Sequence, residues 1–136
     1  MLPLRHAASW RLLSVLLLIA VLAAMLVPPG WFGSSADRLL RFDHADKLLH
    51  GLIFIVLAAW FAGLFERRRY LGVAIWLTVF GLLVEGCQLL VGYRTADWLD
   101  IAANSLGILL GLSLALAGLG GWGRSFEDWY SRRTQH

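Results

Sequence analysis

The chain has 136 residues, of which 59% are hydrophobic and 15% charged, with a mean hydropathy of +0.68. A soluble domain of this size carries about 25% charge and cannot bury so much apolar surface, so composition excludes one. The net charge of +3 resides on arginines that flank apolar runs, which favours membrane topology and lipid headgroups over nucleic acid, and the single cysteine, Cys87, excludes an internal disulfide.

Charge-free runs bounded by charge predict four membrane spans in one all-α domain covering residues 1–136. The first runs over 12–27 and stops at Pro28-Pro29-Gly30. It is short for a bilayer and reaches the interface with Trp10 and Trp31 as aromatic anchors. An alternative reading takes it as a signal peptide, with Arg5 and Arg11 as the basic region and Ala20 to Ala24 near the cleavage site. Residues 35–42 have the pattern of a short interfacial helix. The second, third and fourth spans cover 48–65, 70–91 and 101–122, and a short cytoplasmic interfacial segment follows from Arg124.

Lysine and arginine are unevenly divided between the two sides. Arg5, Arg11, Arg67, Arg68, Arg69, Arg124, Arg132 and Arg133 give eight on one side. Arg38, Arg41, Lys47 and Arg94 give four on the other, which predicts both termini in the cytoplasm.

With this topology the unusual polar residues gather near the outer face. His50 follows Asp46 and Lys47 by about one helical turn, so the three share a face. Glu85 is the most costly residue to place in a membrane. It lies fifteen residues into the third span, roughly 22 Å from the inner face and about 8 Å short of the outer one. Gln88 is one turn further along the same face. Asp97, Asp100 and Asn104 form a stripe at the entry of the fourth span, near Arg94. Gly107 and Gly111 continue that stripe as a small-residue face for a neighbouring helix or a second copy of the chain.

Each residue also has a simpler reading. Asp43, Asp46, Asp97 and Asp100 suit helix N-caps. His50 and Asn104 suit interhelical hydrogen bonds, and Lys47 can snorkel to headgroups. Arg94 can neutralise a carboxylate or hold a lipid phosphate. Trp98 suits an interfacial anchor or a sugar-stacking ring. Glu85 is the residue for which function is the default.

The ordered set Asp46-Lys47-x-x-His50, Glu85-x-x-Gln88 and Arg94-x-x-Asp97-x-x-Asp100-x-x-x-Asn104-x-x-Gly107-x-x-x-Gly111 resembles the signature of the VanZ-like membrane proteins. That family is named for a protein associated with teicoplanin resistance. The resemblance implies a small helical protein of the bacterial cytoplasmic (inner) membrane whose polar motifs face a common site. It implies no particular reaction.

Three functions fit these residues. In the first, an outer-leaflet site binds or modulates an envelope component, such as a lipid-linked precursor or an amphiphile like a glycopeptide. Lys47 and Arg94 would hold its anionic groups, Asp97, Asp100, Asn104 and His50 would hydrogen-bond the headgroup, Asp46 and Gln88 would complete the binding set, and Glu85 would orient or charge-balance them. In the second, His50, Glu85 and Asp100 are catalytic acid/base or metal-holding groups acting on a lipid-linked phosphate or sugar. Their linear spacing is not a metal signature, so no metal or cofactor is assigned from it. In the third, the polar groups assemble the bundle or dock a partner. Membrane lipids are the expected partners, with a homo-oligomer compatible with a scaffold this thin.

Overall fold

The computed structural model describes residues 1–27, 45–91 and 98–133. Helix α1 spans Ala7–Leu26, α2 Ala45–Leu64, α3 Tyr70–Leu90, α4 Trp98–Leu114 and α5 Trp122–Arg133. Among the described residues no strand forms, and four helices are long and apolar enough to cross a membrane. The expected interfacial helix over 35–42, together with Trp31 and Asp43, lies outside the described residues.

The first span is a full 20-residue helix. It starts five residues earlier than the apolar run because Trp10 and Arg11 are accommodated within it. It stops where Val27 turns extended (φ −68°, ψ 132°), the conformation favoured before a proline. A short 3₁₀ turn at Arg67–Arg69 reverses the chain between α2 and α3. Helix α4 begins at Trp98 rather than Ile101, and Ala115–Leu119 extends it as a wider π turn. Gly118 then breaks the helix at φ 140°, and Gly121 at φ 75° redirects the chain into α5.

Helix α2 is the centre of the bundle. Phe54, Leu57, Ala58 and Ala62 are fully buried, packed with Leu77 and Val84 of α3 and Ala115 beyond α4, while Leu64 packs with Leu4 and Trp10. Leu12 and Leu16, Leu71 and Ile75, and Leu106 and Leu109 face outward, as lipid-facing residues do. Helices α2 and α4 approach most closely at Gly107 and Gly111. A methyl group at Gly107 would overlap the Gly51 carbonyl, and one at Gly111 would stand 2.6 Å from the Ile55 carbonyl oxygen. The small-residue face is therefore occupied within the chain and is not open to a second copy.

The chain start, the α2–α3 turn and α5 meet at one end of the bundle. Leu2 N–H donates to Leu64 O at 2.8 Å, and Trp122 Nε1–H donates to Ala59 O at 3.1 Å. Trp10 is buried rather than serving as an interfacial anchor. It packs edge-on against Trp60 and Trp122, with centroids 5.8 and 5.6 Å away. Ser14 Oγ accepts from Trp60 Nε1–H at 3.0 Å and donates to Trp10 O at 2.8 Å.

Glu127 of α5 closes this end. Its carboxylate accepts from the backbone N–H groups of Arg5 (2.7 Å) and His6 (3.0 Å) and from Trp10 Nε1–H (2.9 Å). Burial pushes its pKa up, but the two backbone donors and the indole outweigh burial and hold it below the ordinary 4.5. A depressed folded-state pKa stabilises the fold above the unfolded-state value, and that contribution is lost as pH falls through the folded-state value. Glu127→Gln is expected to lower stability at pH 7 by about 1–2 kcal/mol. Thermal melting between pH 7 and 3 checks this: the gap between wild type and variant should narrow below about pH 4.5, and a constant gap would contradict the assignment.

Candidate functional site

The polar residues of three helices converge at the opposite end. His50 lies one turn into α2, Glu85 near the C-terminus of α3, and Asp100 and Asn104 in the first two turns of α4. Because α2 and α3 form an antiparallel hairpin and α4 enters from the same end as α2, residues near the start of α2 and α4 face the end of α3. Helical pitch then places Asp100 and Asn104 on one α4 stripe. All four are buried: His50 is 1% exposed, Glu85 4%, Asp100 5% and Asn104 4%.

Nδ1 of His50 stands 3.2 Å from Oδ1 of Asn104. An amide oxygen only accepts, so Nδ1–H donates; in the neutral ring the lone pair is then on Nε2. Nε2 is buried and has no hydrogen-bond partner among the described residues. A ring nitrogen of His50 and one carboxylate oxygen each from Glu85 and Asp100 lie within 4.8 Å of one another. The Asn104 amide fits because Gly81 carries no side chain: a methyl there would press to 3.2 Å from both Asn104 Nδ2 and Phe54 Cζ.

Lys47 forms the rim of this cluster. Its Nζ is 4.0 Å from Asp100 Oδ1, and its side chain is 24% exposed. Trp98, one turn before the buried face of α4, is 84% exposed. Gln88 is 2% exposed and donates from Nε2 to Met25 O at 2.9 Å, tying the end of α1 to α3. Asp46 sits in the first turn of α2, with its side chain outside the described residues, and Arg94 and Asp97 lie outside them altogether.

A cleft of about 890 Å³ lies elsewhere. It opens between α1 and α3 at the end that holds the chain start. Leu18, Phe61, Val73 and Trp76 line it, with Arg11, Arg68 and Arg69 at its polar edge. That apolar groove suits acyl chains, whereas the enclosed polar cluster suits chemistry on a charged group. Sequence reasoning did not single out Ser14 or Glu127.

A family model described as VanZ/LLP1 matches residues 6–119. No curated protein and no solved structure matches the chain.

Proposed function

Since the chain belongs to the VanZ/LLP1 family, we propose that it is a bacterial inner-membrane protein that binds an anionic, lipid-linked envelope component and thereby modulates it. The coarser part follows from the family and the four spanning helices: this is a multi-pass membrane protein of the cell envelope. The finer part rests on one observation, the enclosed His50–Glu85–Asp100–Asn104 cluster with Lys47 at its rim. In this reading Lys47 and Arg94 attract the anionic group, Asp97, Asp100 and Asn104 hydrogen-bond the headgroup, and Glu85 balances charge at its base. The excess of arginine on the other side supports an outer-leaflet position for the cluster, where such components are displayed.

A second reading, catalysis on a lipid-linked phosphate or sugar, is favoured by the close approach of an imidazole and two carboxylates. Both readings meet the same first test. The protein is extracted with its native lipids, and phosphate-bearing lipids retained by wild type are compared with those retained by Lys47→Gln and Asp100→Asn. A lipid-linked phosphate enriched in wild type should fall at least tenfold in each variant at equal yield of folded protein. Identical lipid profiles would refute the proposal.

A further inference from the structure

We propose that His50, Glu85 and Asp100 are the protein ligands of one divalent metal ion of the zinc or manganese class, with Asn104 as the positioning residue for His50. This deepens the reading of the cluster as the functional centre and rests on it.

The first argument is geometric. Ions of this class bond nitrogen and oxygen at about 2.0–2.2 Å, so ligand atoms sharing one ion lie within about 4.4 Å of one another. One atom each from His50, Glu85 and Asp100 already lies within 4.8 Å of the others, so small side-chain rotations bring the three onto one ion. The three side chains come from three different helices, and a bundle that only needed to hide them from lipid had no reason to converge them on one point.

The second argument concerns the histidine. A metal-ligating imidazole binds through one nitrogen and donates the other N–H to an oxygen that fixes its ring and tautomer. Asn104 Oδ1 does this at Nδ1, at 3.2 Å. The remaining nitrogen, Nε2, is buried in a residue only 1% exposed and has no hydrogen-bond partner among the described residues. A buried ring nitrogen with no hydrogen-bond partner, on a ring oriented through its other nitrogen, is an arrangement that a packing histidine does not require.

The third argument is charge. Two carboxylates in a membrane interior are costly. A shared proton cancels one negative charge, and Lys47 stands at 4.0 Å from Asp100 on the exposed side. A dication cancels both carboxylates where they meet. The mixed nitrogen and oxygen donor set matches zinc or manganese better than soft-metal chemistry. Three protein ligands leave at least one coordination position open, and a phosphate oxygen of the anionic component is suited to fill it, from the Lys47 side.

The test uses the full chain in detergent, stripped with chelator and dialysed against Zn²⁺ or Mn²⁺ before elemental analysis. Wild type should retain about one ion per chain, and Glu85→Gln and Asp100→Asn less than a tenth of that, at unchanged elution volume. Asn104→Ala should weaken affinity about 10–100-fold at unchanged stoichiometry. Should the carboxylate variants not fold, Co²⁺ added to wild type decides alone. Saturable visible d–d absorption at one equivalent supports the site, and its absence overturns it. Stoichiometric metal in Glu85→Gln overturns it as well. A wild type that takes up no ion but retains its lipid-linked phosphate overturns this inference and leaves the binding reading standing. Uptake of one ion without retained lipid supports the inference and fails that reading.

Discussion

Replacing Gly111 with leucine is expected to abolish accumulation of folded protein. Even a methyl at this position would stand 2.6 Å from the Ile55 carbonyl oxygen and 2.7 Å from Ala58 Cβ. Both belong to α2, the most buried helix of the bundle, and neither is the free end of a flexible side chain that could swing aside. Gly111→Ala should therefore cost about 3 kcal/mol, the upper part of the usual overpacking range, and leucine more. The damage would extend to the polar end. Helix α4 carries Asp100 and Asn104 as well as Gly111, so a helix pushed off α2 withdraws Asn104 from His50, now at 3.2 Å. Gly86→Ala is the matched control. It lies in α3 with nothing within 4 Å of an added methyl, and alanine is the better helix former by about 1 kcal/mol. Thermal melting of purified protein should leave Gly86→Ala at or above wild type and Gly111→Ala well below it. Comparable melting for Gly111→Leu and wild type would show that the α2–α4 contact is not a tight one.

That contact was legible in the sequence, and the contrast with what was not is instructive. Asn104, Gly107 and Gly111 lie on one helical stripe, and small residues on an apolar helix mark a close neighbour whatever the partner is. What the stripe cannot state is which helix fills it. The partner is α2 of the same chain, so of the two expected partners, a neighbouring helix and a second copy, the neighbouring helix covers the face. The meeting of His50, Glu85, Asp100 and Asn104 was legible for a related reason. Span order fixes which ends are adjacent, and a rise of about 1.5 Å per residue fixes depth. Glu127 was not legible. Its partners are the backbone N–H groups of Arg5 and His6, more than a hundred residues away, and backbone donors leave no trace in side-chain pattern. Gln88 was placed on the right helix face, but its bond to the Met25 carbonyl escaped for the same reason. Helix α1 starts at Ala7 rather than Leu12 because a charge-free window ends at Arg11, whereas a helix near the interface can carry an arginine whose head reaches water.

Removing the whole polar cluster at once should separate function from stability. The quadruple variant His50→Leu/Glu85→Leu/Asp100→Val/Asn104→Val is expected to fold at least as stably as wild type, gaining up to about 1–4 kcal/mol, and to retain none of the lipid-linked phosphate. The reason is that breaking one member of a buried ionic network strands the others, whereas replacing all of them with apolar side chains of similar volume removes every desolvation penalty together. His50→Leu alone should accordingly destabilise, because it leaves Asn104 Oδ1 without its donor and two buried carboxylates without the imidazole. Lys47 would lose Asp100 in the quadruple variant, but its side chain is already 24% exposed and can extend toward the headgroups. If the cluster existed to hold the bundle together, the order would reverse: the quadruple variant would be the least stable of the set. Melting curves of wild type, His50→Leu and the quadruple variant, measured in the same detergent, distinguish the two. A quadruple variant that melts well below His50→Leu would mean these four side chains are structural glue and that the functional centre must be sought elsewhere.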